Sequence, residues 1–545
     1  MYCWSTSLMS CLGREALFCF DEGHAQCYVA IMIGPFFFFV TALVAIGVRF
    51  NKIKTSLLFP FLLGLYLTSL TPSLDIPYII DDVDHLYNLS QAMETSRVGE
   101  WLLTPHNEHV IPMIKLLYYL FYKNFWVFPQ AFHVVIMLLM AGILFLIYQL
   151  LLRLTQSSLS AFIGCSLAAS TNLMDNAIFV ITDTHILFCV FFFLLLFLSQ
   201  YQYTTTQRPI WLALIFLSTV LGPSTFALGL SSLFFAFLFG WLCCPHSSKT
   251  FSKMMLVVFL AWALSLIPYL VSLGQIIHTP HYTDIGGQSA FDIMNIQSAA
   301  VYFVIYIFAG LIPRVLAPSY ISIGVFFIVF GAALYYRKFI AWGPIVFFLC
   351  WGSLLSLVIF TFRIAWGPAQ VGYARYDVLP VIMLAGIYTL ILNPLFQDER
   401  ITITHPRHHY LIYLVCFFLI SLGGMNRYTQ AVQIASETTS TIQNFYLKFR
   451  YAFENYIKET RPQGLVQVKN VMLASPTVPS LTNKAGLSPS LTRYPRSTQF
   501  YAQYILPPDI RKKFVWGEKT DELLLNYFID ARHQSVLEDF YRVFS

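Results

Sequence analysis

Long apolar runs separated by short polar segments make up the chain from residue 29 to residue 427. A helix needs about 20 predominantly apolar residues to cross the hydrocarbon core of a bilayer. By this criterion the pattern predicts crossings at 29–49, 55–74, 129–152, 157–174, 183–200, 209–222, 224–243, 254–273, 318–336, 341–362, 377–396 and 409–427. We therefore predict an all-α polytopic membrane protein with about 11 to 13 transmembrane helices.

Composition agrees with this prediction. Hydrophobic residues make up 57% of the chain and charged residues 11%, whereas charged residues are about 25% of a typical soluble domain. The net charge of +6 is better explained by cytoplasmic loops than by nucleic-acid binding, so we expect no nucleic-acid partner. The ten cysteines lie mostly in apolar runs without metal-ligand spacing, and we expect them to act as small hydrophobic residues.

Short loops rich in lysine and arginine predict the orientation, because such loops stay on the cytoplasmic side. The basic loops contain Arg49, Lys52 and Lys54, then Arg153, then Arg208, then Lys249 and Lys253, and finally Arg337 and Lys338. They alternate consistently if residues 299–316 form an interfacial or re-entrant helix. The loops predicted on the extracytoplasmic side are 75–128, 175–182, 274–317 and 363–376, together with the tail. We expect a bacterial cytoplasmic (inner) membrane.

The same pattern divides the chain into three parts. Residues 1–53 form an N-terminal segment with one additional crossing, and residues 54–428 form the main transmembrane domain. Residues 429–545 are more polar, contain no cysteine and include a stretch rich in proline, serine and threonine. They predict a small soluble extracytoplasmic domain.

The first outer loop, 75–128, concentrates polar side chains next to a crossing. It contains the acidic stretch "YIIDDVDHLYN" at 78–88. Helical spacing predicts one interfacial helix through "VDHLYNLSQAMETSRV", capped by Asp81 or Asp82, and a second beginning at Pro112 and continuing as "MIKLLYYLFYKNFW". Between them, "TPHNEHVIP" is expected to return Glu108 and His109 to the membrane surface.

This organisation resembles the GT-C fold of glycosyltransferases that use lipid-phosphate sugars, such as protein O-mannosyltransferases and bacterial aminoarabinose lipid A transferases. The resemblance covers roughly residues 54–430, and its motifs are "DD" at 81–82, "NEH" at 107–109 and "RY" at 375–376. One departure is the crossing at 29–49. It precedes the acidic loop, whereas family members commonly place that loop after the first crossing.

The resemblance implies transfer of a sugar, with inversion, from a polyprenyl-phosphate donor to a protein, lipid or glycan acceptor at the extracytoplasmic face. Asp81 or Asp82 would be the catalytic base, because a partly buried carboxylate beside like charges has its pKa raised towards neutrality. Arg375 is the first candidate for the donor phosphate, since its planar fork can meet two oxygens. Tyr376, Lys115 and Arg363 are further phosphate candidates, with Arg314 in reserve.

The remaining polar residues of the outer loops are candidates for binding the sugar or the acceptor. They are Asp84, His85, Trp101, Glu108, His109, Asp183 and His185. Several are potential metal ligands, so a divalent cation is a candidate cofactor, although no HExxH motif supports zinc. Membrane lipids are the other expected partners.

Two other function classes remain open. A flippase or transporter for a lipid-linked saccharide would place charges and glycine or proline breaks near mid-helix, and Gly222-Pro223 does interrupt one apolar run. A polysaccharide polymerase or ligase would use a large late outer loop, for which the loop at 274–317 is a candidate. That loop contains His278, His281, Asp284 and Arg314.

Overall fold

The structure is a computed structural model, and it describes 58–76, 85–86, 88–89, 92–93, 95–106, 109–125, 129–170, 181, 183–245, 247–276, 331, 341–363, 378–397 and 415–435. These ranges are almost entirely helical, and within them the only β-type pairing is one bridge between His106 and His109. The prediction of a helical protein is therefore confirmed for the residues described.

The helices follow the hydrophobic runs closely. They are α1 Leu58–Leu70, α2 Val98–Leu103, α3 Pro112–Phe125, α4 Pro129–Thr155, α5 Ser158–Ser170, α6 Thr184–Thr206, α7 Pro209–Thr225, α8 Ser232–Cys243, α9 Ser248–Ser265, α10 Ile267–Ile276, α11 Trp342–Arg363, α12 Val378–Gln397 and α13 415–435. Short 3₁₀ segments at Thr71–Asp75 and Ala227–Ser231 extend α1 and precede α8. Each predicted crossing that falls within the described ranges thus corresponds to helix.

Several of these helices have the length and apolarity of membrane spans. Within the described residues, four helices meet both criteria: Gln130–Thr155, Thr184–Thr206, Ser248–Gln275 and Trp342–Ile359. Shorter apolar helices include Leu58–Leu74, Ser158–Ser170, Pro209–Thr225, Ala227–Cys243 and Val378–Pro394. The predicted crossing at 29–49 lies outside the described residues, as does 318–336 apart from residue 331.

Close approach of small residues joins α5 to α12 and α12 to α11. A Cβ atom built on Gly164 would overlap Thr389, and one built on Gly386 would lie 2.9 Å from the Phe348 ring. Nearby, Ser160 donates a hydrogen bond of 2.8 Å to Asn393. Glycine at such contacts lets helix backbones approach closely, which is how membrane helices gain van der Waals packing. Residue numbers rise along α5 as they fall along α12, so these two helices are antiparallel.

An aromatic cluster fills the space between α6, α8 and α11. The Phe197 ring lies 5.0 Å from Phe239, 4.8 Å from Phe347 and 5.7 Å from Trp351, measured between ring centroids. All four rings are fully buried. Edge-to-face aromatic pairs contribute about 0.5–1.5 kcal/mol each beyond their buried area. These apolar rings lie in the interior of the bundle, whereas the polar candidate residues lie at one of its ends.

Because successive helices run in opposite directions, the residues at their ends form two sets, one at each end of the bundle. We call one the loop end, and its members are Ile76, Leu103, Ser170, Asp183, Phe226, Ser272, Val378 and Arg427. The other, the basic end, carries Arg153, Arg208 and Lys249. The described basic residues predicted to face the cytoplasm therefore share one end, and the polar first loop lies at the other.

The first helix predicted in this loop is confirmed at the described residues 85–86, 88–89 and 92–93, but it ends before residue 98, where the prediction placed its end. Residues 92–93 are helical, but the chain turns at Ser96, which has a left-handed φ of 57°. The Arg97 N–H donates to Ala92 O at 2.7 Å and the Ser96 N–H to Met93 O at 3.2 Å, which is the Schellman pattern of a helix C-terminus. A second short helix, α2, then begins at Val98. The predicted helix from Pro112 is confirmed as α3.

Helix α13 ends later in the chain than the sequence predicted. The sequence placed the end of the last crossing at 427 and the start of the C-terminal domain at 429, but the helix continues through residue 435. The composition change after 428 therefore does not coincide with the end of a helix.

Candidate functional site

The segment between α2 and α3 doubles back on itself. The His106 N–H donates to His109 O at 2.7 Å, and the His109 N–H donates to His106 O at 3.0 Å. This reciprocal pair is the hydrogen-bonded pairing of an antiparallel bridge. It fixes His106 and His109 opposite each other, and we call these two residues the histidine turn.

One side of the histidine turn contacts the first part of the loop. The His85 ring lies 4.3 Å from the His106 ring and 5.2 Å from the Tyr118 ring, between centroids. His85 is almost completely buried, and Tyr118 of α3 is fully buried. His85 thus contacts His106, which lies beyond α2 in the chain, and its role in a binding site stays a prediction.

The other side of the histidine turn meets the start of α6. The His109 ring lies 6.2 Å from the His185 ring, and both pack against Phe226, at 4.5 Å and 4.8 Å. Asp183, which directly precedes α6, is buried as well. The segment before α3 and the start of α6, which were expected to contribute to one site, thus contact the same ring, Phe226.

Lys115 is buried against α2 and is not exposed at the surface. Its ammonium donates to Trp101 O at 2.8 Å and to Thr104 O at 2.5 Å, and it lies 5.2 Å from the centre of the Trp101 ring. Burial lowers the pKa of Lys115 to about 7. Lys115 and Trp101 therefore contact each other directly. The role of Lys115 as a phosphate ligand stays a prediction that this geometry does not favour.

Arg427 is a second buried cation at the loop end. Its guanidinium donates to Ser69 Oγ at 3.1 Å and to Ala169 O at 3.0 Å, and its carbon lies 4.5 Å from the centre of the Tyr66 ring. It thereby joins α1, α5 and α13. Sequence reasoning did not single out Arg427, although an arginine at the end of an apolar run was a usable signal.

Sequence reasoning also missed Tyr118 and Phe226, the two aromatic residues on which the histidines pack. Tyr118 belongs to the tyrosine-rich α3. Phe226 directly follows α7, which continues through Gly222 and Pro223 to Thr225 instead of ending at the interruption that the sequence suggested. An aromatic residue directly after the end of a helix is a weak signal, since it becomes informative only when the neighbouring elements are known.

Several predicted site residues lie outside the described ranges. These are Asp81, Asp82, Asp84, Glu108, Arg375 and Tyr376, together with Arg314 and the other polar residues of 274–317 except for 274–276. Arg363 is the last residue of α11. Helix α12, which follows Arg375 and Tyr376 in the chain, begins at the loop end with Val378. The base and the principal phosphate ligand remain predictions.

A narrow apolar crevice leads from this region between α3, α4 and α6. It is lined by Ile114, Leu117, Tyr118, Phe132, Val135, Ile136, Ile181, Thr184 and Phe188. Tyr118 therefore borders both the crevice and the histidine cluster. In the part of the chain that the structure describes, no three His, Cys, Asp or Glu side chains are grouped as a metal site would require. The predicted divalent cation thus has no described set of ligands.

No family model, curated protein or solved structure matches the chain.

Proposed function

We propose that the protein is a GT-C-type membrane glycosyltransferase. It transfers a sugar from a polyprenyl-phosphate donor to a protein, lipid or glycan acceptor, and its loop end faces the extracytoplasmic side of a bacterial cytoplasmic membrane. The proposal includes the finer architecture of about 11 to 13 crossings with a soluble C-terminal domain. The observation that carries it is the meeting of the first outer loop with the start of α6, where His109 lies 6.2 Å from His185.

Three features of the described residues support this function. Polar and titratable groups gather at one end of a bundle whose centre is aromatic and apolar. A narrow apolar crevice borders Tyr118, beside those groups, and is lined by hydrophobic side chains of α3, α4 and α6. Helix α12 begins at the same end, directly after the two residues proposed to hold the donor phosphate.

The proposed reaction is a single displacement with inversion. The carboxylate of Asp81 or Asp82 accepts the proton of the acceptor hydroxyl or amine as that atom bonds to the anomeric carbon. The bond from the anomeric carbon to the phosphate oxygen breaks, and the electron pair leaves with the polyprenyl phosphate. Arg375 and Tyr376 stabilise the negative charge that develops there, because preorganised cationic and hydroxyl donors act most strongly away from water.

The remaining candidates position the sugar and the acceptor. His109 and His185 stand at the meeting of two loops, where ring nitrogens can hydrogen-bond sugar hydroxyls. His85 supports the histidine turn from behind through His106. Asp84, Glu108 and Asp183 supply carboxylates of the same site in this proposal.

The test uses the full chain reconstituted into proteoliposomes with radiolabelled polyprenyl-phosphate hexoses and pentoses and bacterial envelope acceptors. We expect transfer by the unmodified chain and a loss of about 100-fold or more in at least one of Asp81→Asn and Asp82→Asn, because general-base catalysis contributes about 10²–10⁴-fold. Equal protection of α4 and α6 against hydrogen exchange controls for folding. Full activity in both variants would refute the base assignment.

Transport of a lipid-linked saccharide is the second candidate function, and one observation favours it. Pro223 lies inside α7, and Gly229 packs directly against Gly222 and Pro223, so the last turn of this helix lacks one backbone hydrogen bond next to the polar site. The same proteoliposomes separate the two functions. Movement of intact labelled donor between leaflets, without release of its sugar, would replace the transferase proposal by a flippase.

A further inference from the structure

The last turn of α2 directly precedes the histidine turn, and groups from elsewhere in the chain hold its carbonyl oxygens. Lys115 of α3 donates to Trp101 O and Thr104 O. Ser272 of α10 donates to Leu103 O at 2.7 Å. The Thr104 N–H and hydroxyl donate to Glu100 O, at 2.9 Å and 3.0 Å.

These bonds matter because a helix end leaves its last carbonyls without partners inside the helix. Where the protein itself excludes water, as around the buried Trp101 and Lys115, each carbonyl without a donor is costly. The positive charge of Lys115 also lies at the negative end of the peptide dipoles of α2, and the Trp101 ring covers it. Among the described residues no carboxylate pairs with this ammonium. Its partners are the two carbonyls and the ring.

We propose that Lys115 is a positioning residue that ties the end of α2 to α3 and thereby holds the histidine turn against His85 and His185. Thr104, whose carbonyl accepts from Lys115, stands two residues before His106, so a shift at Thr104 is transmitted directly to the turn. Ser272 is the second tie, and it reaches α2 from α10. The effect of this tie on sugar transfer rests on the proposed function, whereas the tie itself does not.

Burial strengthens the case that Lys115 serves structure rather than ligand binding. Its side chain is 3% exposed, so a phosphate could reach the ammonium only after α2 moved away. A lysine that met phosphate directly would keep its ammonium open to the site. The lowered pKa has the same cause, which is removal of the ammonium from water.

The test measures hydrogen–deuterium exchange of the segment 104–111 in the full chain in lipid nanodiscs. Lys115→Met keeps the aliphatic stem and removes the donors, and we expect exchange in this segment to become at least tenfold faster. Lys115→Arg keeps charge and donors and should restore slow exchange. Ser272→Ala should accelerate exchange in the same segment independently. Lys123→Met is the matched control, because Lys123 lies on the same helix, is exposed and faces the Tyr119 ring instead of α2.

Unchanged exchange of 104–111 in Lys115→Met would overturn the inference. So would acceleration that extends equally to α4 and α6, because it would indicate general destabilisation. Selective acceleration with rescue by Lys115→Arg supports it. The transfer assay is read separately. An unmodified chain that transfers no sugar would remove the proposed function and leave the exchange result, and hence the positioning role, in force.

Discussion

At the scale of single residues, the loop end contains two buried cations held by dipoles and aromatic rings. Lys115 contacts two carbonyls and Trp101, and Arg427 contacts a hydroxyl, a carbonyl and Tyr66. Buried charge at membrane depth is costly unless polar groups surround it. The two cations hold different elements. Lys115 fixes the end of α2 to α3, while Arg427 joins α1, α5 and α13 to one another.

The lowered pKa of Lys115 predicts a pH dependence for opening of the histidine turn. In the closed form its pKa is about 7, whereas the ordinary value, 10.5, applies when α2 has moved away and water reaches the amine. Between these values the open form binds more protons, so the free energy of opening rises with pH, by up to about 1.4 kcal/mol per unit. Below about 7 both forms are protonated and the dependence disappears.

Hydrogen exchange of 104–111 between about pH 6 and pH 9, corrected for the intrinsic exchange rate, measures this effect. We expect opening to become harder above about pH 7 in the unmodified chain and to show no such trend in Lys115→Met. A trend of the same size in Lys115→Met would assign it to another titratable group.

The sequence could predict that polar residues of the first and second outer loops share one region, but it could not predict their partners. His109 and His185 were both candidates, and they meet. Lys115 was expected to meet phosphate, yet its acceptors are carbonyls 14 and 11 residues earlier in the chain. Backbone acceptors carry no signature in residue type, because every residue has a carbonyl. Their availability depends on where a helix ends.

At the scale of elements, the lengths of the apolar runs predicted the helices, because a helix that crosses a bilayer needs about 20 apolar residues. The Schellman turn after Met93 was not predictable in the same way. Glycine is the usual residue at the left-handed position of that motif, and Ser96 occupies it here. The close helix contacts at Gly164 and Gly386 were equally hidden, since the sequence contains many glycines and only the packing shows which ones face a neighbour.

The contact at Gly164 predicts a stability effect. Gly164→Ala should destabilise the bundle by about 1–3 kcal/mol, because the new methyl group overlaps Thr389 between α5 and α12. Gly64→Ala in α1 is the control, since a Cβ there meets nothing within 4 Å, and alanine favours helix by about 0.5–1 kcal/mol. Thermal unfolding of the detergent-solubilised chain measures both. If Gly164→Ala and the unmodified chain unfolded at the same temperature, α5 and α12 would accommodate the new methyl group without loss of stability.

At the scale of the whole molecule, the two ends differ in chemistry. Arg153, Arg208 and Lys249 mark the basic end, and the histidine cluster and α12's first residue mark the loop end. By the positive-inside tendency, we predict that the basic end faces the cytoplasm. Length and composition predicted the membrane class. The regions that carry Asp81, Asp82 and Arg375 stay predictions.

This arrangement predicts opposite labelling of two exposed positions by a membrane-impermeant maleimide. Glu100→Cys, at the loop end, should react in intact spheroplasts, whereas Thr206→Cys, at the basic end, should react only after permeabilisation. The unmodified chain, with its native cysteines, gives the background. The reverse pattern would place the histidine cluster in the cytoplasm and would exclude a donor presented on the outer leaflet.

The Arg427 contact can form only late in the synthesis of the chain. Its partners Ser69 and Ala169 precede it by 358 and 258 residues, so the ribosome must make most of the protein before the guanidinium arrives. At about 5–20 residues per second, the Ala169 carbonyl waits on the order of 10–50 s after its own synthesis. During that interval α1 and α5 lack this cross-link, so any association between them depends on their own side-chain packing. Arg427 adds its two hydrogen bonds to these helices only late in synthesis.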